Sequence, residues 1–129
     1  MKSLFEAIIN KFKATPHNDF YTAVGGQLAL AQAPQSWKMP YAVFSLPSNV
    51  PEYTFTDTIE NPVIQFSVFD DSQSSLVVCN AYDYLTTLFD DCRLSISGGT
   101  FHLMERMFSQ LLKEPEYWHY VTQYRLIIE

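Results

Sequence analysis

A fold of the α+β class is predicted by three features of this sequence. Apolar residues recur at helical spacing near the start (Leu4, Phe5, Ile8, Ile9, Phe12). They do so again past the middle, at Val78, Ala81, Tyr82, Leu85, Leu88 and Phe89. The segments 53–59, 63–69 and 118–128 instead alternate, as half-buried strands do. A chain of 129 residues is the size of one domain. Residues 1–129 are therefore read as a single unit, a largely antiparallel sheet flanked by an N-terminal helix and a second helix near the middle of the chain.

The first helix is expected over 3–13, with Ser3 as N-cap and Glu6 closing a capping box. Thr15-Pro16 reads as an N-cap followed by proline at the first helical position, opening a short helix that ends at Gly25-Gly26. Leu28 to Ala33 is a short strand candidate, and the apolar run from Pro40 to Leu46 suits a buried strand. Pro47-Ser48-Asn49-Val50-Pro51 punctuates the chain. Tyr53, Phe55 and Ile59 then alternate with threonines, and Ile64, Phe66 and Val68 with Gln65 and Ser67. With a turn at Glu60-Asn61-Pro62, these two runs are expected to pair as a hairpin.

Asp70-Asp71-Ser72 is expected to open the second helix, since acids and serine suit the positive end of the helix dipole. Asp90-Asp91 at its far end opposes that dipole and argues for an earlier stop. Leu94–Ser97, Gly98-Gly99 and the residues from Thr100 onward carry a hairpin signal. Phe101 to Leu112 has the composition of a helix but the position of a strand, and is read as a strand. The final strand, 118–128, follows across Lys113-Glu114-Pro115-Glu116.

Charge is unevenly spread. The formal net charge is −6, and no Lys or Arg lies between Lys38 and Arg93, a stretch that carries eight acids. That balance argues against binding to nucleic-acid phosphates or to an anionic membrane. Two cysteines, Cys79 and Cys92, match no metal or redox spacing and are read as free thiols in a reducing compartment. Glu6 and Asn10 interrupt the first apolar stretch, so it is not read as a signal peptide. No apolar run has the roughly 18 residues needed to cross a bilayer.

No constellation for catalysis or metal binding is present in the sequence. His17, His102 and His119 are scattered, and there is no HExxH, GxSxG, P-loop or GxGxxG pattern. Asp70-Asp71 and Asp90-Asp91 lack the flanking ligands of a cation loop. Gly25-Gly26-Gln27 spells the tripeptide of peptide release factors, but it stands at a helix end in an acidic chain, where a C-cap explains it. No catalytic residue, metal or cofactor is therefore expected.

The order of elements resembles the tail completion, or tail terminator, proteins of long-tailed bacteriophages, which join tail to head. The features are the N-terminal amphipathic helix, the short helix closing at Val24-Gly25-Gly26, and a Pro-rich loop into Met39-Pro40-Tyr41-Ala42-Val43-Phe44. Paired strands ending at Phe69-Asp70, a helix, and the strand Trp118-His119-Tyr120-Val121-Thr122-Gln123-Tyr124-Arg125 complete the likeness over nearly the whole chain. Gln27 stands where the family usually carries a base.

The resemblance implies a structural virion protein, assembled in the host bacterial cytoplasm. It would form a ring with copies of itself, commonly sixfold, at the head-proximal end of the tail. Its partners would be the tail tube protein and a head-neck connector protein, with DNA passing through unbound and no membrane involved. An acidic lumen would repel phosphates. Glu52, Asp57, Glu60, Asp70 and Asp71 are thus candidate channel or docking acids, and Tyr53 and Phe55 candidates for self-association. The hairpin would gather Glu52, Asp70 and Asp71 at its open end, and Asp57 with Glu60 at the other. Edge pairing by 53–59 or 63–69 is the expected contact. Two other classes stay open: a small-ligand-binding or enzymatic α+β domain, and a monomeric module that binds one host protein.

Overall fold

Period-two burial decides which way the sheet faces. The computed structural model describes residues 2–53 and 58–129. In chain order these form α1 (Lys2–Lys13), α2 (Asp19–Ala23), β1 (Leu28–Leu30), β2 (Tyr41–Asn49), β3 (Glu52–Tyr53), β4 (Thr58–Ile59), β5 (Pro62–Asp70), α3 (Leu76–Phe89), β6 (Phe101–Lys113) and β7 (Trp118–Ile128). Five strands make one sheet in the order β1-β2-β5-β7-β6. Only β1 and β2 run parallel in it. The class is α+β, as the periodicity predicts.

Even-numbered positions of β2, β5 and β7 turn toward the helices. Phe44, Ile64, Phe66, Tyr124 and Leu126 are all buried there. α1 lays Leu4, Ala7, Ile8 and Phe12 on this face, and α3 lays Val78, Ala81, Leu85 and Phe89. Phe66 stacks on Phe89 at 4.6 Å and meets the Tyr124 ring edge-on at 5.9 Å. Each such ring removed from water contributes roughly 1.5–3 kcal/mol.

Local chemistry sets the helix ends. α1 begins at Lys2, so Ser3 lies inside it and Glu6 pairs with Lys2 at 3.8 Å instead of closing a capping box. α2 starts later than the Thr15-Pro16 signal suggests. Asn18 caps it, its Oδ1 accepting from the Tyr21 N–H at 2.8 Å. The same side chain donates to the Phe12 carbonyl at 3.0 Å, so one residue serves the end of α1 and the start of α2. Gly25 and Gly26 follow with φ of +62° and +71°, and the Tyr21 ring leaves no room for a Cβ at Gly26. Gln27 lies against the next loop; with its amide oriented so that the NH2 group faces them, it donates to the carbonyls of Lys38 at 2.9 Å and Pro40 at 3.1 Å.

Three pairings differ from the sequence reading. The strand expected over 53–59 does not pair with 63–69. β2 continues through Pro47 to Asn49 across a bulge between Ser45 and Ser48, and takes the place beside β5. A proline is tolerated in a strand at such a bulge. Among the described residues β3 and β4 form their own two-stranded sheet, Glu52 beside Ile59 and Tyr53 beside Thr58, apart from the main one. Of that expected strand, residues 54–57 lie outside the described residues.

The second helix does not open at Asp70. Asp70 ends β5, buried, because it shares the inward parity of Phe66 and Val68. Its Oδ2 accepts from the Ser72 N–H at 3.1 Å, turning the chain toward α3. Leu94–Ser97 forms no strand either. Leu94 is buried in the core and Ile96 packs against it, so the segment caps the helix layer on its way to β6.

α3 stops at Phe89, one residue before Asp90-Asp91. Asp90 has a use there. Its Oδ1 accepts from the buried Tyr124 hydroxyl at 2.6 Å, and Oδ2 lies 3.3 Å from the Arg106 guanidinium. Burial first, and the bond to Asp90 second, hold the Tyr124 hydroxyl protonated far above the usual phenol range. Arg106 also donates to the Tyr82 hydroxyl, which donates to Ser109 Oγ at 2.8 Å. Ser109 and Thr122 hydroxyls meet at 2.9 Å. The network pins α3 to β6 and β7.

Asp90→Ala should cost about 1–3 kcal/mol by stranding the Tyr124 hydroxyl. In the double variant with Tyr124→Phe, about 1 kcal/mol of that loss should be recovered, read from urea unfolding. Strict additivity of the two changes would show that the bond contributes nothing.

Candidate functional site

The candidate acids do not gather as the expected hairpin requires. Glu52 is exposed on β3, beside Ile59. Glu60 sits at the same end of the sheet, where its backbone bridges Ile128 and its carboxylate accepts from the Asn49 amide. Asp70 closes the other end of β5 and Asp71 follows it, about 26 Å along the strand at about 3.3 Å per residue. Asp71 is exposed, but Asp70 is only 2% exposed and cannot line a surface. The physical reason is the pairing of β3 with β4, which keeps Glu52 near Glu60 and away from Asp70. Asp57 lies outside the described residues.

The candidates for self-association divide in the same way. Tyr53 is 78% exposed, and Phe55 lies outside the described residues. The strand over 63–69 is β5, third of five in the sheet, with both of its edges taken by β2 and β7. It cannot pair with a neighbour. The free edges belong to β1, three residues long, and β6, thirteen residues long.

β6 carries the larger opening. Met107 is 53% exposed and Phe108 45%, with Leu111 close behind. Met107 is the extra residue of a bulge between Arg106 and Phe108, which twists the strand locally. A long edge with exposed apolar side chains is where another chain can add. The sequence signal for it was available. Phe101, Met104, Phe108 and Leu111 fit a helix face, so in a strand they cannot all turn inward.

The face of the sheet turned away from the helices is nearly neutral. Arg125 Nε donates to Glu105 Oε1 at 2.7 Å, and Gln123 Nε2 to Gln65 Oε1 at 2.9 Å. A cleft of about 500 Å³ lies on this side, between the 31–37 loop and the sheet. Trp37, Tyr41 and Phe69 form its aromatic wall, and Ser45, Gln65 and Ser67 its floor. Close by, His119 stacks on Phe69 at 4.5 Å, and its Nε2 is buried without a hydrogen-bond partner.

Among the described residues, no three His, Cys, Asp or Glu side chains stand close enough to hold a metal. Cys79 and Cys92 are free thiols, and burial raises the pKa of Cys92. No helix of the described residues is long and apolar enough to cross a membrane.

No protein-family model matches the sequence, and no curated protein does. Solved structures do match. A chain from the virion of a native gene transfer agent particle superposes with a TM-score of 0.78 at 13% identity, covering 98% of this chain and 94% of that one. A second solved chain, which carries no descriptive name, gives a TM-score of 0.59 at 12% identity over 99% of this chain and 94% of the other. At such identities the likeness is one of fold.

Burial lowers the His119 pKa from its ordinary 6.5, opposed by the Glu114 charge. The folded chain therefore binds this proton less readily than the unfolded chain does. Stability is present above about pH 6.5 and is lost as pH falls through the lower folded value. His119→Phe, which keeps the stack on Phe69, should remove that part of the loss. Urea midpoints at about pH 7.5 and about pH 5 check it. An equal drop in both proteins would contradict the assignment.

Proposed function

We propose that this chain is a structural protein of a phage or phage-like virion. In this reading copies of it form a sixfold ring at the head-proximal end of the tail tube, ending tail growth and joining tail to head. One observation carries the proposal: the end-to-end likeness of fold to a chain from a gene transfer agent virion. The resemblance of element order to tail terminators points the same way. The partners are then further copies of the chain, the tail tube protein and a head-neck connector protein. DNA passes through without being held.

The surface suits assembly better than catalysis. Tyr82, Arg106, Asp90 and Tyr124 form a connected set of titratable groups, and they are used up in binding α3 to the sheet. The free β6 edge, with Met107 and Phe108 exposed, offers a surface for another chain. Of the candidate channel acids, exposed Glu52 and Asp71 can face DNA. A lumen carrying such charges repels phosphate instead of gripping it.

A second reading, a small-ligand-binding domain, has the 500 Å³ cleft in its favour, since that is a usual ligand-site volume. Its floor is already committed, however. Gln65 bonds to Gln123 and Ser67 within the sheet, so this part of the floor is used by the fold.

The test is electron microscopy of tail tubes grown with and without the full-length chain. The expected result is a closed ring at one end of each tube and a uniform tube length. Tubes of indefinite length with no added density would overturn the proposal.

A further inference from the structure

The face of the sheet turned away from the helices carries an aromatic row that the fold does not hide. Residues directly opposite on paired strands share a face, so Tyr41 of β2, Phe69 of β5 and His119 of β7 stand in line there. Their rings follow one another, Tyr41 and Phe69 at 5.4 Å and Phe69 and His119 at 4.5 Å. Trp37 extends the row at one end, its ring 6.3 Å from Tyr41, and Tyr117 meets Phe69 edge-on at 5.6 Å. All five rings are half-buried, so each keeps part of its surface in water. The Trp37 backbone N–H donates to the Pro34 carbonyl at 3.1 Å, closing a turn that sets the indole against Tyr41.

The cleft of about 500 Å³ opens along this row, and two of its properties narrow what fills it. First, no Asp, Glu, Lys or Arg lines it, in a chain with eight bases and fourteen acids. A charged occupant would lose its hydration with nothing there to pair it. Second, the wall and floor hold uncommitted donors. Among the described residues the Trp37 indole N–H and the Tyr41 and Ser45 hydroxyls make no hydrogen bond within the protein. An indole N–H can only donate, so the occupant has to offer acceptors. A wholly apolar occupant would leave these groups unpaired.

We propose that the aromatic cleft of Trp37, Tyr41 and Phe69 docks an uncharged, proline-rich extended segment of a partner chain. The cleft lies on a sheet face, where a bound peptide finds no backbone ladder for its own N–H groups, as it would at a sheet edge. Proline has no N–H to satisfy, and its carbonyls remain as acceptors for the three free donors. Its rings pack on half-exposed aromatics, and its preformed extended helix costs little to order. Gln65 is held by Gln123, so recognition falls to the aromatic wall and to Ser45. The contact is separate from the ring reading, and its test needs no assembled ring.

The test is calorimetric titration of the full-length chain with capped decaproline, beside a capped Gly-Ser peptide of equal length and maltose as a neutral sugar. Decaproline should bind at least about tenfold more tightly than either comparison compound. Trp37→Ala should weaken that binding by about tenfold or more, and Tyr41→Phe, which removes only a hydroxyl, by about threefold. Circular dichroism establishes that each variant folds. Ser45→Lys, which puts a charge on the cleft floor, should also weaken binding by about tenfold, and it decides the matter where Trp37→Ala does not fold. Decaproline that fails to bind the wild-type chain would overturn the proposal. Unchanged affinity in folded Trp37→Ala or Ser45→Lys would do the same. Equal or tighter binding of the Gly-Ser peptide or of maltose would overturn the assignment to proline.

Discussion

The rings around Phe66 are the contact on which the rest of the structure depends. Phe66 lies at the middle of β5, the central strand, and its ring reaches Phe44 of β2, Tyr124 of β7 and Phe89 of α3. That one position ties the sheet's centre to its helix layer. It also fixes the sheet's sense. Once Phe66 points to the helices, period-two geometry sends Gln65 and Ser67 the other way, and the neighbouring strands follow in register. The polar network at Asp90 then fastens the far end of α3 to β6 and β7, beside the aromatic contacts of Phe89 with Phe66 and Tyr124.

Packing on one side has a consequence for the surface. All the helices go to a single face, so among the described residues the other face is covered only in part, by the 31–37 loop, and the long β6 edge pairs with no further strand. Charges at Glu105, Arg106 and Lys113 and the bulge at Met107 protect that edge in part. Even so, Met107 and Phe108 stand exposed at its middle, and Tyr53 of β3 is exposed on the connection from β2 to β5. Both features cost a solitary chain solubility, and both are useful to a subunit.

Local period was legible in the sequence, and long-range partnership was not. The stripe from Leu4 to Phe12 and the alternation over 118–128 each depend on neighbours a few residues away, and the structure follows them. Phe101–Lys113 is a strand despite its helical composition, because pairing with β7 over its whole length overrides propensity. The expected 53–59 and 63–69 hairpin failed because proximity in sequence favoured it, while the bulge at Ser45–Ser48 let β2 run past Pro47 and claim β5. Asp70 illustrates the same limit within the candidate site. Its acidity suggested surface, yet its parity with Ile64, Phe66 and Val68 already placed it inward. Asp90, conversely, broke the dipole rule visibly, but its partners Arg106 and Tyr124 lie on strands that no local pattern connects to it.

In the proposed reading, copies meet through the free β6 edge and the exposed residues Glu52 and Tyr53 of β3. Hydrogen exchange of the full-length chain, measured free and in assembled particles, reads this directly. In the free chain the outward-facing backbone amides of β6 and those of Glu52 and Tyr53 should exchange fast, while β5 stays protected. On assembly the β6 edge and β3 should gain protection together. Equal exchange in both states at β6 and β3, with protection appearing elsewhere, would contradict the account.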